Sequence, residues 1–329
     1  MSLRERINEH IDKNIDGEEK RMIVAKDGSG DYKTVQEAVD QIPKNNEEQV
    51  KIYIKNGIYK EKLYIMQPYI TLIGEDPEKT ILTYDDSAHK IHEDGTEMGT
   101  FRSYSTFIGA DHFTAENITF ENSAGEGHKV GQALAIYIDG DRAIFKRCRF
   151  LGHQDTVFTG QKVGQEKKYN RQYFVDCTLV GDVDFIFGSS TAVFNKCQII
   201  SLDRKKNVNG YITAASTPKE QEYGYVFLDC TLTSDAAVDT VYLGRPWRPY
   251  GNVAFINCWM GSHIKTEGWH NWGKEENEGT ARYYEYGTKG PGDNMEGRVQ
   301  WSTKLEEEVA KKMTIEAILS GDDSWNPLS

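Results

Sequence analysis

Two blocks of the chain repeat each other at a fixed spacing. Residues 145–158 read FKRCRFLGHQDTVF and residues 174–187 read FVDCTLVGDVDFIF, so equivalent positions are 29 residues apart. A fixed period of this size is typical of repeats that stack as layers of one solenoid. Each block has an aspartate at the same place, Asp155 in the first and Asp184 in the second. If the blocks form adjacent parallel strands, roughly 4.8 Å apart, the two carboxylates are neighbours. Neighbouring carboxylates cannot both ionise freely, which is the arrangement of an acid/base pair.

The start of each block recurs along the chain at irregular spacing. Each copy has a cysteine three residues after a phenylalanine, at Phe145/Cys148, Phe174/Cys177, Phe194/Cys197, Phe227/Cys230 and Phe255/Cys258. A weaker copy, TAENITF at 114–120, has Asn117 in the cysteine place. Alternating apolar residues bounded by Gly, Ser and Asn predict short strands. A constant strand motif with loops of variable length predicts an all-β fold, a parallel β-helix in which equivalent residues stack as internal ladders.

A solenoid of this kind needs covered ends. Apolar residues at helical spacing, followed by a proline, predict a cap helix over residues 33–42. Residues 304–319 (KLEEEVAKKMTIEAIL) predict a C-terminal helix that covers the other end or packs along the side. Strands are predicted at 50–54 and 69–73, before the long repeats.

Composition narrows the class of protein. The 329 residues contain no Pro/Ser-rich linker, which favours one elongated domain. The formal net charge of −12 argues against a nucleic-acid partner, because phosphate neutralisation dominates that affinity. There is no run of 18 or more apolar residues, so no membrane span is expected. The charged start, MSLRERINEH, shows no signal peptide and predicts a cytoplasmic protein; the alternative is a secreted protein whose signal was removed.

The cysteines favour a structural role. They are five in number and stand in repeat register, which is not the pattern of a disulfide framework. Buried reduced thiols fit this register better. Because no paired Cys or His spacing accompanies them, no metal site is predicted. We also expect no other cofactor. The expected state is a monomer.

Polar residues around the aspartate pair favour chemistry over turn capping, although stacked aspartates commonly cap turns in solenoids. Gln154 precedes Asp155, and Gln132 lies one turn earlier in GQALAIY. Both amides can donate hydrogen bonds to a developing oxyanion. Arg245, in YLGRPW, either keeps one carboxylate ionised through a bidentate contact or forms an ordinary surface ion pair. The repeat predicts the pair but not which aspartate has which role.

Aromatic residues and one histidine stand near these positions. Trp247, Trp269 and Trp272 lie in polar, Gly-rich loops, where they form either a platform for sugar rings or packing against the solenoid. His153 stands two residues before the first aspartate of the pair, and its match in the second block is Asp182. We predict a turn position for His153 rather than a catalytic base.

Several motifs in order give the chain its resemblance to the pectin methylesterases. They extend from about residue 22 to the C-terminus and read VAKDGSGDYKTVQEAVDQIP, GIYKEKL, GQALAIY, GHQDTVF, GDVDFIFG, ITAAST and YLGRPW. The resemblance implies a single-stranded, right-handed parallel β-helix domain over residues 22–329, preceded by an N-terminal extension at 1–21. It also implies a metal-free aspartyl esterase that hydrolyses methyl esters of polymeric or oligomeric galacturonate, giving methanol and a free carboxylate.

The resemblance assigns roles to the polar residues already singled out. Asp184 matches the family nucleophile, and Asp155 matches the general acid/base. Gln132 and Gln154 match the oxyanion donors. Arg245 matches the residue that holds the nucleophile.

The resemblance also indicates contacts with methylated pectin or oligogalacturonides. Trp247 and Phe187 match substrate-contacting positions, while Trp272 and Thr106 fall near such positions. One departure lies beside the pair: GDVDFIFG has Asp182 where threonine is common in the family.

Two alternatives remain open on the residues alone. The first is another polygalacturonate-active β-helix enzyme: a lyase would need a calcium-binding carboxylate cluster and a basic residue, and a hydrolase would use carboxylates without paired glutamines. The second is a non-catalytic carbohydrate-binding solenoid. It would use the aromatic residues equally well but would leave the aspartates, glutamines and arginine without a role.

Overall fold

The strands of this chain form three sheets in which every pairing is parallel. This is seen in a computed structural model that describes residues 21–160 and 170–329. Sheet A contains, in spatial order, β1 (Arg21–Val24), β2 (Val50–Ile54), β5 (Ile70–Gly74), β8 (Thr114–Glu116), β11 (Ala143–Lys146), β14 (Arg171–Val175), β17 (Thr191–Asn195), β20 (Tyr225–Leu228), β23 (Asn252–Ile256), β25 (Arg282–Tyr286) and β26 (Thr303–Lys304). Sheet B contains β3 (Gly57–Lys60), β6 (Thr80–Tyr84), β9 (Thr119–Asn122), β12 (Arg149–Leu151), β15 (Thr178–Gly181), β18 (Gln198–Ser201), β21 (Thr231–Ser234) and β24 (Trp259–Met260). Sheet C contains β4 (Leu63–Ile65), β7 (Thr106–Ile108), β10 (Ile136–Ile138), β13 (Val157–Thr159), β16 (Val183–Gly188), β19 (Gly210–Ala215) and β22 (Val241–Pro246).

Helices are short and few in the described part of the chain. The α-helices are α1 (Val35–Asp40), α2 (Gly127–Val130), α3 (Glu307–Ala310) and α4 (Ile315–Leu319). Single 3₁₀ turns occur at Thr100–Arg102, Glu275–Asn277 and Gly321–Asp323. Successive strands pass from sheet to sheet and return to the first one rung later, so the fold is an all-β, right-handed parallel β-helix, as predicted. No helix among the described residues is long and apolar enough to cross a membrane.

The two repeated blocks are adjacent rungs, which confirms the prediction from their spacing. Phe145 pairs with Phe174 in sheet A, and Phe158 pairs with Phe187 in sheet C. Both pairs are 29 residues apart, so the register is held around the whole turn.

Stacked phenylalanines run through the interior of sheet A. Neighbouring rings have centroids 4.4–4.9 Å apart and planes within 10–15° of parallel. The ladder consists of Phe145, Phe174, Phe194, Phe227 and Phe255, all fully buried. Parallel pairing puts equivalent residues directly above one another, so the sequence repeat becomes a continuous column of aromatic contacts.

One left-handed residue turns each copy from sheet A to sheet B. It is the residue before the cysteine, with φ of 52–56° at Arg147, Asp176, Lys196, Asp229 and Asn257. Asn117 has φ of 55° and occupies the same corner, while Phe120 pairs with Phe150. This register gives the cysteine place to Ile118, so the prediction for Asn117 is wrong by one residue. Asparagine tolerates the left-handed conformation well, which explains its place at the corner.

The five cysteines form a ladder of free, buried thiols. Each Sγ–H donates to a carbonyl of the preceding rung at 3.2–3.6 Å. A small apolar side chain that donates a weak hydrogen bond suits this buried position, which fits reduced cysteine.

The predicted N-terminal cap helix is present and is shorter than the predicted span. In α1, Thr34 accepts a hydrogen bond from the backbone of Glu37, whose side chain accepts in return from the backbone of Thr34. This capping box sets the start of the helix. Its buried residues join the interior core of the solenoid at the N-terminal end. The predicted extension at 1–21 lies outside the described residues except for Arg21.

The predicted C-terminal helix is two short helices, α3 and α4. The first ends at Ala310. Thr314 starts the second, because its hydroxyl accepts the backbone N–H of Ala317. Ile318 and Leu319 pack with Val193 and Val226 on the outer face of sheet A. This segment therefore runs along the side of the solenoid, one of the two placements expected.

The phenylalanine ladder predicts where the fold is most sensitive to substitution. Phe174→Ala should lower the free energy of unfolding by about 3–5 kcal/mol, because it leaves a cavity between two stacked rings. Urea unfolding followed by circular dichroism measures the loss. Phe101→Ala is the matched control: its ring is 44% exposed, so a loss below about 1 kcal/mol is expected. Equal losses in the two variants would contradict the role of the ladder.

Candidate active site

A single row of side chains follows the outer face of sheet C. Strand register aligns Tyr64, Phe107, Tyr137, Phe158, Phe187, Ala214 and Arg245. Bulky rings fill most of the row, but Ala214 lies between Phe187 and Arg245. The short alanine side chain leaves a hollow there, and a cavity of about 200 Å³ opens over it.

This cavity brings together most of the residues predicted from the sequence. Eight of the predicted side chains line it: Gln132, Gln154, Asp155, Asp184, Phe187, Arg245, Trp247 and Trp272. Positions more than 100 residues apart in the chain therefore converge at one place on the solenoid surface.

Asp184 reaches the cavity through an irregularity in β16. It has φ of 51°, and the pairing of β16 with β19 shifts register between Val183 and Ile186. As a result Phe185 and Ile186 both belong to the interior core, while Phe187 belongs to the outer aromatic cluster. A bulge of this kind redirects a side chain that strict alternation would place elsewhere.

Asp155 is positioned by the turn that precedes β13. It has φ of 64°, and its N–H donates to the carbonyl of Val183 in the next rung at 3.0 Å. This bond fixes its backbone to the residue immediately before Asp184.

Each aspartate also follows a glycine by three residues. A Cβ on Gly152 would come within 2.8 Å of the Thr156 hydroxyl, and a Cβ on Gly181 would come within 2.2 Å of the Phe185 Cβ.

Arg245 forms a bidentate ion pair with Asp184. Its Nε donates to Oδ1 at 2.9 Å and its Nη2 donates to Oδ2 at 2.7 Å. The guanidinium lies between the rings of Tyr211 and Trp272, with its carbon 3.7 Å from each ring centroid. Two aromatic faces hold the planar fork in one orientation, so Asp184 is fixed as well.

The two aspartates hold protons with different strength. Burial raises the pKa of Asp155 well above its usual range, and the neighbouring charge of Asp184 raises it further. Burial also raises the pKa of Asp184, but the hydrogen bonds and charge of Arg245 oppose that rise. The shift at Asp184 is therefore the smaller of the two. A proton shared by the pair resides on Asp155, and the negative charge resides on Asp184.

Gln132 and Gln154 line the cavity beside the aspartates, and both are half-buried. The backbone of α2 supports Gln154: a Cβ on Gly127 would come within 2.5 Å of the Gln154 Cβ. The carbonyl of Gln132 accepts the N–H of Ala88 at 2.8 Å. The two amide groups belong to different rungs and stand where they can serve the same substrate atom.

Thr106 is the one predicted site residue that the structure does not bring to the cavity. It lies in β7, is 1% exposed, and its hydroxyl has no hydrogen-bond partner. Its burial in the solenoid wall leaves no surface for direct contact with a substrate. Trp269 also lies elsewhere: it is 1% exposed and stacks on Tyr283 in the interior at 4.2 Å.

Thr100 and Phe101 line the cavity and were not found from the sequence. They come from a long loop between rungs, where no strand pattern or repeat marks them. The Phe101 ring contacts the Phe158 ring at 5.1 Å and the Trp247 ring at 6.3 Å. Phe101 therefore forms an exposed wall of the cavity opposite sheet C.

No group of three or more His, Cys, Asp or Glu side chains among residues 21–160 and 170–329 is placed to hold a metal ion. The chemistry available at the cavity is that of one ionised carboxylate, one protonated carboxyl, two amides and an arginine.

Comparison with known proteins identifies the family. The pectinesterase family model matches residues 21–322. The chain belongs to the pectinesterase family. Its members are carboxylic ester hydrolases, and this chain is therefore one as well.

Relatives of the family cover most of the chain. Pectinesterase 31 of Arabidopsis thaliana is 43% identical over 298 residues, which are 88% of this chain and 89% of that protein. A pectinesterase of Petunia integrifolia is 34% identical over 92% of this chain and 80% of its own length. Among solved structures, pectin methylesterase PemA of Erwinia chrysanthemi superposes with a TM-score of 0.80 at 30% identity, covering 93% of this chain and 98% of that chain. Carrot pectin methylesterase superposes equally well, with a TM-score of 0.80 at 30% identity, 95% of this chain and 96% of its own.

The buried ion pair gives a testable prediction. Arg245→Met should lower the free energy of unfolding by roughly 3 kcal/mol at pH 7, because the Asp184 charge remains buried without its partner. Loss of the guanidinium raises the folded-state pKa of Asp184 further above that of the unfolded chain. Below that raised pKa the native state binds the extra proton. The destabilisation is therefore full above the folded-state pKa and diminishes as pH falls through it towards the unfolded pKa, about 4. Urea unfolding at both pH values measures it.

The double variant Asp184→Asn/Arg245→Met is the control for this experiment. It removes both charges, so most of the stability lost at neutral pH should return. A loss in Arg245→Met that is the same at both pH values would show that missing ring packing, rather than the unpaired carboxylate, is responsible.

Proposed function

We propose that this protein hydrolyses the methyl esters of galacturonate units in pectin or its oligomers, releasing methanol, with Asp184 as nucleophile and Asp155 as general acid and base. The observation that carries the proposal is the pair of stacked aspartates, of which one is held by Arg245 and the other is more strongly protonated. Family membership supports the reaction class.

In the first step, an Asp184 carboxylate oxygen attacks the ester carbonyl carbon at C6 of a methylated unit. Carboxylates are weak nucleophiles, so fixed orientation must supply much of the acceleration. The bidentate contact with Arg245 provides that orientation while leaving the carboxylate ionised. The product of the attack is a tetrahedral intermediate with a negative oxygen.

The intermediate collapses when the bond to the methoxy group breaks. Asp155 donates its proton to the departing oxygen, so methanol leaves and an acyl-enzyme anhydride with Asp184 remains. Asp155, now ionised, takes a proton from water, and the hydroxide attacks the acyl carbon. Cleavage of the anhydride releases the galacturonic acid unit, restores the Asp184 carboxylate and leaves Asp155 protonated. The new acid then loses its proton to solvent and becomes the free carboxylate.

Gln132 and Gln154 would stabilise the oxyanion of both tetrahedral intermediates. Their side-chain amides are neutral donors that need no proton transfer, which suits an oxygen that gains charge only during the reaction. Their position beside the aspartates in the cavity supports this role.

The aromatic wall suits a sugar chain. Phe187 and Trp247 meet edge to face at 5.8 Å, and Phe101 and Trp272 also line the cavity. Apolar rings beside a few convergent polar groups are typical of a carbohydrate site. A pectin methylesterase solved in complex with a hexasaccharide superposes with a TM-score of 0.79 at 30% identity, covering 93% of this chain and 98% of its own. We propose that the substrate of this protein is likewise a galacturonate chain, held against these four rings.

Location outside the cytoplasm is part of the proposal. The expectation of a cytoplasmic protein is not supported by the relatives, which include plant pectinesterases. A pectinesterase meets polymeric substrate where pectin is deposited, outside the cell. We therefore propose the secreted alternative, and faster methanol release from polymeric pectin than from short oligomers would support it.

Methanol release is the direct test of the proposed reaction. With EDTA present, the wild type should release methanol from highly methylated pectin. Asp184→Ala and Asp155→Ala should reduce the rate to background while keeping the fold, since each removes one of the two reacting groups. Circular dichroism checks the fold. A folded wild type without methanol release, or an Asp184→Ala variant of near-native rate, would rule out the assignment.

The oxyanion role has its own signature. Gln154→Leu and Gln132→Leu should each lower kcat by about 10²–10³-fold with little change in KM, because the hydrogen bond forms only as charge develops. Steady-state kinetics on methylated oligogalacturonides measures both constants. A rise in KM at unchanged kcat would instead indicate a role in ground-state binding.

A further inference from the structure

A second pair of side chains occupies equivalent positions in the two repeated blocks. His153 and Asp182 are 29 residues apart, as Asp155 and Asp184 are, and each stands two residues before its aspartate. His153 Nδ1 lies 3.1 Å from Asp182 Oδ2. Because a carboxylate only accepts, Nδ1 carries the proton in this contact. Two side-chain pairs therefore lie next to each other on the same two rungs. One pair consists of two acids, and the other consists of an imidazole and an acid.

Asp182 is an acid that the reaction above does not use. It is 2% exposed, and its Oδ1 accepts the N–H of Val183 at 2.7 Å. Its own N–H donates to the carbonyl of His153 at 3.1 Å. The carboxylate is thus held in place from two sides. A buried carboxylate needs such partners, and one of them is an imidazole, whose charge ordinarily changes near neutral pH.

Asp182 bears electrostatically on both members of the catalytic pair. Its negative charge raises the pKa of Asp155 and also that of Asp184. Arg245 acts in the opposite direction on both. Asp182 therefore acts as a third acid on the two aspartates that line the cavity, and the imidazole of His153 contacts it directly.

Among residues 21–160 and 170–329, Glu126 is a second acid that interacts with His153. It lies in the segment before α2, and the charge of His153 contributes to lowering its pKa. Glu126 also has Lys129 at 3.2 Å and His128 at 3.3 Å, so its charge is already countered by exposed partners. The His153 side chain is 29% exposed, whereas the Asp182 side chain is 3% exposed.

We propose that His153 and Asp182 are a positioning pair that sets the proton balance of the Asp155–Asp184 dyad and thereby the pH range of ester hydrolysis. This inference rests on the proposed function, and it assigns a purpose to an acid that the proposed reaction does not use. The charge of Asp182 favours retention of the proton on Asp155. The N–H that His153 donates to Asp182 Oδ2 offsets part of that charge.

The pair predicts a distinct change of the pH profile for each variant. In Asp182→Asn the like charge is gone, so Asp155 loses its proton more easily and the alkaline limb should move down by on the order of half to one pH unit. The acid limb should move down as well. In His153→Gln the imidazole that offsets the Asp182 charge is gone, so both limbs should move up, opposite to their movement in Asp182→Asn.

The experiment is methanol release by the wild type and both variants across the pH range, with kcat and KM separated. The control pair is His92 and Asp94, which have the same contact, Nδ1 to Oδ2 at 3.3 Å, and do not line the cavity. His92→Gln and Asp94→Asn should leave both limbs in place. The proposal is overturned if the pH profiles of Asp182→Asn and His153→Gln differ from the wild-type profile only in maximal rate. The pair would then be a structural contact.

A second measurement does not depend on turnover. Carboxyl carbons labelled with ¹³C report the titration of Asp155, which Asp155→Asn identifies by loss of its signal. The titration midpoint of Asp155 should fall in Asp182→Asn, and an unchanged midpoint would contradict the proposal. Asp182 is buried, so its variant is first checked for folding; His153→Gln, at a partly exposed position, carries the kinetic test by itself. Absence of methanol release by the wild type at every pH would refute the proposed function, while the titration would still decide whether Asp182 acts on Asp155.

Discussion

Direct stacking of equivalent residues in parallel rungs is the constraint on which the rest of this structure depends. Each strand pairs with its counterpart one turn away, so residues that occupy the same place in the repeat lie above one another. Phenylalanines stack on phenylalanines and cysteines follow cysteines through the interior. The same rule, applied on the outer face, puts Asp155 and Asp184 in consecutive rungs. The interior ladder stabilises the solenoid, and the outer pair of aspartates is the one to which we assign its chemistry.

Stacking alone would be unfavourable for two carboxylates. Burial raises the pKa of both aspartates. Of the two, Arg245 contacts only Asp184 and opposes the rise there, so the two carboxyl groups differ in how strongly they hold a proton. Tyr211 and Trp272 hold that cation between their rings. This asymmetry is the basis of the proposed division into a nucleophile and a proton donor, within what the sequence presents as two copies of one motif. The proposed effect of His153 and Asp182 on the same proton balance comes from the adjacent pair of side chains.

The fold was largely predictable because a repeat turns a problem of long-range contacts into one of local spacing. The offset of 29 residues between the two blocks predicted which strand residues pair between these two rungs, and it did so in all three sheets. Errors arose where spacing carries no information. Asn117 was placed one residue from its true position because a left-handed corner residue and a buried cysteine are adjacent in every copy. The C-terminal helix was predicted as continuous because helical periodicity continues through Thr314, whereas the hydroxyl of that residue begins a new helix.

The sequence by itself determined the solenoid, its rung spacing, the aspartate pair and, through motifs, the other polar groups of the candidate site. These follow from local patterns that each rung repeats. The repeat could not decide which aspartate Arg245 holds, because the contact spans 61 residues and has no counterpart in the repeat; the resemblance implied Asp184, and the tertiary structure shows the contact. The tertiary structure also excluded Thr106 from the cavity and brought Phe101 to it, since loops between rungs have no common pattern. The physical reason is the same in each case: parallel pairing propagates the position of a strand residue, whereas the path of a loop is set by what it packs against.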